Sequence, residues 1–309
     1  MNLATLRARS VAVAALMATS AIAADTPSLT LPQVVNPLPP ASDKTPHATV
    51  MLADYRYDDL LWENDKTAHR IYGHALEAAE PPSGSGIDSW GKNVAWPFME
   101  RQLRTGDQHA YHGEGLDFYN VGTTRGAGGL GVWHDNKLWT SRNYRTFRIL
   151  RSGGDVAEFE VDYAPWPVDV ERRVWETRRF TLPLGTHFTR MVSTLRSDKP
   201  EALIVGIGIG KRTTGDGGDL TVDRARGVLS WWGPQDHDHG RMAVALRVDP
   251  AMIVEIRNDA DNNLVLLRVM PGKPFVYYSG SAWSLGNGDF HDRAAWDRYA
   301  AQIPVAFQP

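Results

Sequence analysis

The chain has 309 residues, of which 42% are hydrophobic and 22% charged, and its formal net charge is −3. This is a globular composition and excludes wholesale disorder. Lys and Arg are scattered with no basic stripe, which excludes nucleic acid as a partner, and the lack of cysteine excludes disulfides, thiol catalysis and Cys-based zinc sites.

Residues 1–23 read as a secretory signal peptide. Arg7 and Arg9 form its positive region, Val11 to Ala18 its apolar region, and Ala21-Ile22-Ala23 a small-x-small cleavage site. The apolar run is too short to span a bilayer and no other stretch is long enough, so no membrane partner is expected. A mature chain starting near Ala24 would be periplasmic or secreted. Residues 24–47 form a Pro-rich, extended lead-in. Residues 48–309 read as one domain, with no internal repeat. Nothing in the pattern sets an oligomeric state.

Ala48 to Tyr57 has a strand-like pattern. In the next stretch, Asp65 could cap a helix from Lys66, but alternation of Thr67, His69 and Ile71 against Ala68, Arg70 and Tyr72 favours a strand. Residues 81–86 form a loop, and Trp96 to Leu103 a short helix. Lys137–Leu150 and Val156–Tyr163 flank a Ser152-Gly153-Gly154-Asp155 hairpin signal. Val170 to Leu182 alternates with charges on both faces, which predicts a strand lining something wet. Further strands are expected at His187–Leu195, Glu201–Gly210, Gly227–Trp232, Met242–Val248, Ile253–Arg257, Leu264–Met270 and Pro274–Ser281. Only the end is helical, with Asp292 as cap and Ala295, Trp296, Tyr299 and Ile303 on one face. The fold class is therefore all-β: a large antiparallel two-sheet β-sandwich with a short C-terminal helix.

The densest set of proton-handling groups is His109-x-x-His112-x-Glu114-x-x-Asp117, with Tyr111 inside it. Imidazole moves protons near neutral pH and a carboxylate can tune it. The same set could hold a divalent metal, calcium or another, with His109 and His112 as the candidate ligands, although the spacing fits no standard metal motif. The plain alternative is that these groups only bond loop backbone. Val121 to Gly131 (VGTTRGAGGLG) lacks the Lys-Ser/Thr ending of a phosphate loop and no helix pattern follows, so its glycines mark a bulge or a close backbone approach. Asp236 to His239 reads as a solvated loop, and His239 is its best candidate contact. Arg70, Arg125, Arg142 and Arg178 are candidates for pairing with a uronate carboxylate. Eleven Trp and ten Tyr supply core and potential sugar-stacking faces, among them Trp133, Trp231 and Tyr278.

Residues 58–77 (DDLLWENDKTAHRIYGHALE), 85–92 (SGIDSWGK) and 111–133 (YHGEGLDFYNVGTTRGAGGLGVW), with DNKLW after them, resemble a bacterial family named domain of unknown function 4861. The resemblance covers about residues 48–303. It implies an exported protein, found beside enzymes that dismantle pectin and other uronic acid polysaccharides. It also implies a fold similar to the large sandwiches of galactose mutarotase-like proteins. That fold hosts lyases, hydrolases, epimerases and binders, so no residue role transfers with it. His112, Glu114, Asp117 and Gly131 sit inside the matching motif.

A carbohydrate substrate is thus expected, with three classes of action. In a lyase, Arg70, Arg142 or a metal would neutralise the uronate carboxylate. His112 would be the base, and Tyr111 or His109 the acid. A hydrolase would pair Glu114 and Asp117, or one of them with Glu63, Asp88 or Asp289. A non-catalytic or mutarotase-like sugar binder would use the aromatic set (Trp133, Trp231, Tyr278), the arginines and His239 alone. The lyase reading leads.

Overall fold

The computed structural model describes residues 37–212, 217–287 and 290–309. The signal-peptide expectation, the start of the Pro-rich lead-in and Asp289 lie outside these residues. The first part of the domain contains β1 (Thr49–Ala53), β2 (Asp59–Glu63), β3 (Ala68–Ile71), α1 (Leu76–Ala79), β4 (Asp88–Lys92), α2 (Met99–Arg104) and β5 (Gly115–Leu116). Then come β6 (Ala127–His134), β7 (Lys137–Trp139), β8 (Thr146–Arg151), β9 (Val156–Pro167), β10 (Arg173–Pro183), β11 (Phe188–Ser197) and β12 (Leu203–Gly210). The last part holds β13 (Asp219–Asp223), β14 (Val228–Trp232), β15 (Met242–Val248), β16 (Ile253–Asn258), β17 (Asn262–Val269), β18 (Phe275–Trp283) and α3 (Arg293–Gln302).

Two antiparallel sheets form the sandwich. One has eight strands in the order β13-β14-β15-β18-β11-β10-β9-β8, and the other five, β16-β17-β12-β6-β7. Their inner faces share one apolar cluster, in which Val205 and Ile207 of one sheet join Phe159, Phe180 and Leu246 of the other. Phe159 and Phe180 stack at 4.5 Å. The sequence pattern is that of the all-β sandwich expected, with a third sheet added: β1 to β5 form a separate five-stranded antiparallel sheet in chain order. Trp62 of β2 plants this sheet in the sandwich core, 5.2 Å from both Phe159 and Phe180. Its indole Nε1–H donates to Thr189 Oγ1 at 3.0 Å.

The strand expected from Val170 starts at Arg173 instead, and Val170 is fully exposed in the preceding bend. Its outer face, with Thr177, Arg179 and Thr181, lines an open cleft beside Glu158 and Glu160, whereas the charges of its inner face do not meet water. Val174, Glu176, Arg178, Phe180 and Leu182 all point into the sandwich. Arg178 donates from Nε and Nη2 to the two oxygens of Glu176 at 2.7 and 2.8 Å. Two residues apart on a strand share a face, so charges in this spacing satisfy each other without water. The expected Lys137–Leu150 strand is also interrupted, into β7 and β8.

The outer face of β14, β15 and β18 is covered by α3. Trp296 stacks on Phe188 at 5.8 Å and sits among Val228, Ala243, Ala245 and Val276. This explains why these strands are buried on both faces and read as near-continuous apolar runs. Asp292 caps α3 by accepting from Ala295 N–H at 2.8 Å. Asp292→Ala is expected to cost about 1 kcal/mol and to lower Tm by roughly 2–4 °C in a thermal melt. An unchanged Tm would mean that Trp296 packing alone sets the helix.

Candidate functional site

The antiparallel register of β3 on β4 sets Arg70 opposite Asp88. Arg70 Nε and Nη2 both donate to Asp88 Oδ2, at 3.0 and 2.7 Å. Nη2 also reaches Asp117 Oδ2 at 2.8 Å. Asp117 follows β5, the strand that pairs with β4, so the same sheet delivers it. Asp59, at the start of β2, lies 3.6 Å from Nη1, and the same nitrogen donates to Gln108 Oε1 at 3.3 Å. The guanidinium carbon lies 5.1 Å from the Tyr72 ring and 5.2 Å from the Trp90 ring.

Three buried carboxyl groups therefore surround one buried guanidinium. Full ionisation would leave surplus negative charge in a dry setting. Burial pushes Asp117 up to about 7, Asp88 adds to the rise, and Arg70 opposes it. Burial likewise pushes Asp59 up to about 6 against the pull of Arg70. For Arg70 burial works against the charge, but Asp88 and Asp117 outweigh it and hold the proton well above the ordinary range. Burial, then Asp88, pushes the Tyr72 phenol well above its ordinary range. Burial thus favours the protonated form of these carboxyl groups, and Arg70 opposes it.

The cluster forms the floor of a cleft of about 590 Å³, walled by Arg56, Tyr72, Asp107, Gln108, His109 and Asp117 among others. Asp88 and Asp59 lie behind this wall. His109 stands over the floor with its side chain 60% exposed. Its Nδ1 lies 2.8 Å from the backbone carbonyl of Asp117. A carbonyl can only accept, so Nδ1 carries a proton, and in the neutral ring Nε2 is an acceptor. Gln108 Nε2 donates to Asp117 Oδ2 at 2.9 Å and lies 3.3 Å from His109 Nε2. Because Gln108 Oε1 faces Arg70, its amide is oriented with Nε2 toward the carboxyl and the imidazole. The result is an imidazole nitrogen able to accept a proton and a carboxyl whose protonated form burial favours, both lining one cleft.

The other residues singled out by sequence sit elsewhere. His112 Nε2 donates to Asp107 O at 3.1 Å. Tyr111 donates to Gly113 O at 3.1 Å, accepts from Asn93, and meets Trp283 edge-on at 5.8 Å. Glu114 pairs with Arg101 and accepts from Trp96 Nε1. These three close the loop that carries His109 and Asp117, and they do not wall the cleft. His109 and His112 turn to different carbonyls, and among the described residues no group of three or more His, Asp or Glu is arranged to hold a metal.

Arg142 is exposed and pairs with Glu77 at 2.7 Å. Arg125 and Arg178 are buried in the sandwich rather than offered to a ligand. Burial, with Arg178 nearby, pushes Arg125 down to about 10. Trp231 is a core residue whose Nε1 donates to Gly217 O at 3.0 Å. Tyr278 bonds Ala306 and packs on Phe307 of the C-terminal segment. Trp133 lies under Arg257, 4.4 Å from its guanidinium carbon. His239 lies 5.9 Å from Phe118, and its carbonyl accepts from Trp283 Nε1. The glycine run is a close approach, as its composition predicts. Gly126 has φ +55°, and a Cβ there would lie 2.0 Å from Ile87 O.

A family model described as Domain of unknown function (DUF4861) matches residues 17–308. The chain belongs to this family. It is similar to "Uncharacterized protein P7" of Formosa agariphila, with 28% identity over 277 residues that cover 84% of this chain and 68% of the relative. Among solved structures it is similar to the GH36 alpha-galactosidase AgaB from Geobacillus stearothermophilus. That match has 10% identity and a TM-score of 0.37, over 75% of this chain and 41% of the other. It is also similar to 4-alpha-glucanotransferase from Thermococcus litoralis, with 9% identity and a TM-score of 0.36, over 77% of this chain and 41% of the other. The chain thus spans about two fifths of the length of these solved proteins.

Within this DUF4861 protein the residues of the cleft and its buried cluster that sequence reasoning passed over are Asp59, Gln108, Tyr72 and Arg56. Asp88 was named only as a hydrolase partner. Their signal is the pairing of β2, β3, β4 and β5, which joins residues 59, 70, 88 and 117 across the sheet. A linear motif does not carry that.

Proposed function

We propose that this protein is an exported carbohydrate-active enzyme that cleaves uronic acid-containing polysaccharide or oligosaccharide by β-elimination in the Arg70–Asp117 cleft. The observation that supports this most is the exposed His109 imidazole, whose Nδ1 lies 3.9 Å from the buried Asp117 carboxyl, a group whose protonated form burial favours. His109 Nε2 takes the C5 proton, and the C5–H electrons form the C4–C5 double bond. The C4–O4 bond breaks, and the leaving oxygen takes the proton from Asp117. No water is consumed. Base and acid share one wall, so they address one face of the sugar ring. This suits syn elimination, for which H5 and O4 must be on the same side, as in glucuronates and mannuronates.

The hydrolase reading finds less support. Asp88 and Asp117 are both held on one Arg70 nitrogen, and Asp88 lies behind the wall, so they do not flank a bond. The test is the ultraviolet absorbance of the unsaturated product on a panel of uronate polymers. We expect signal on glucuronan or mannuronan ahead of pectate and guluronan. Release of saturated reducing ends without that absorbance would sink the lyase reading in favour of hydrolysis.

A further inference from the structure

β-Elimination needs a cation on the uronate carboxylate, to stabilise the charge that develops when C5 loses its proton. Arg70, the expected candidate, is not free. Its Nε, Nη1 and Nη2 are engaged by Asp88, Gln108 and Asp117, and its side chain is only 4% exposed. Moving it toward a substrate would strand three buried carboxyl groups. His109 acts as the base only while neutral. Among the described residues the remaining cation on the cleft wall is Arg56.

Arg56 is built differently from Arg70. It lies in the short turn Asp54–Arg56 between β1 and β2. Nη2 donates to Glu80 Oε2 at 2.9 Å, which fixes the direction of the fork. Nη1 is buried and has no hydrogen-bond partner. The Tyr57 ring lies 5.2 Å from the guanidinium carbon. A buried donor without an acceptor carries a desolvation cost that an incoming anion removes. A guanidinium can serve two carboxylates at once, since its five N–H donors lie in one plane.

We propose that Arg56 is the residue that selects the uronate, with Glu80 holding one arm of its guanidinium and the unesterified substrate carboxylate taking the other at Nη1. This rests on the lyase reading of the cleft and names its substrate class: uronate residues with a free carboxylate rather than their methyl esters or neutral sugars. Arg56, His109 and Asp117 line the same cleft, so one bound oligouronide can meet all three.

The test uses the full mature chain and Arg56→Gln, Arg56→Lys and the wild type. Each is given the free-acid oligouronide that gives the largest ultraviolet signal, and the methyl ester of the same oligomer. Binding is measured by calorimetry alongside turnover. Arg56→Gln is expected to weaken binding of the free acid and to lower kcat/KM for it by about 10–100-fold, the loss of one charge-assisted pair. The methyl ester should be handled as by the wild type. Arg56→Lys should recover part of the affinity, because it keeps the charge but not the fork. Unchanged free-acid preference in Arg56→Gln, in a protein that melts as the wild type does, would overturn the role of Arg56 and leave the lyase reading standing. Wild-type protein that neither binds nor cleaves any uronate would overturn both.

Discussion

Replacing Arg70 by methionine is expected to cost about 3–5 kcal/mol, because it leaves three buried carboxyl groups with no cation. For a domain of this size that lowers Tm by roughly 10 °C. The deficit should depend on pH, and the sign follows from the carboxyl groups. Folding moves Asp117 from near 3.8 to about 7 and Asp59 from near 3.8 to about 6, burial being the leading cause in both. Between those values the folded chain holds more protons than the unfolded one, so this contribution to stability shrinks as pH rises from about 4 to about 7. Removing Arg70 removes the charge that opposes both rises. The variant should therefore fall furthest behind the wild type near pH 8 and recover toward pH 5. Asp117→Asn in the same background should restore part of the loss at pH 8, since it removes one of the stranded charges. Thermal and urea unfolding at the two pH values read this directly. A deficit that is the same at both would show that Arg70 acts through its packing between Tyr72 and Trp90, and not through its charge.

The strands were legible because most are half-buried and alternate, and because those under α3 read as unbroken apolar runs. The C-terminal helix was legible from its Asp292 cap and the spacing of Trp296 and Tyr299. The third sheet was not separable from the sandwich by pattern, since β2 to β4 are buried throughout and mix Trp62, Glu63, His69, Arg70 and Asp88 with apolar residues. Charges in a buried strand look wet until their partners are known. The same holds for Glu176 and Arg178, which pair through Nε and Nη2 inside the core. At the candidate site, local density of titratable groups pointed to residues 109–117, and the structure brings Asp117 and His109 of that set to the cleft. Tyr111, His112 and Glu114 spend their polar atoms on Gly113, Asp107 and Arg101. A loop that must hold two residues over a buried arginine needs such bonds, and in a single sequence they look the same as catalytic groups.

That distinction yields the sharpest functional contrast. His109→Ala is expected to lower kcat by about 10²–10⁴-fold, the usual contribution of a positioned general base. Its side chain is 60% exposed and meets the Asp117 carbonyl and the Gln108 amide, so the variant should fold and melt close to the wild type. His112→Ala, three residues away, should keep kcat within a few-fold, because that imidazole only ties the loop to Asp107. Asp117→Asn should also lose rate, and it carries a second readout. If the carboxyl held up to about 7 donates the proton to the leaving oxygen, the wild-type rate must fall above roughly pH 7 as the group ionises. Asparagine does not titrate, so the residual rate of that variant should lose the alkaline limb. Rates for the three variants and the wild type across pH 5–9, on the polymer that gives the unsaturated product, separate these outcomes. Loss of rate in His112→Ala with retention in His109→Ala would move the base out of the cleft and overturn the assignment.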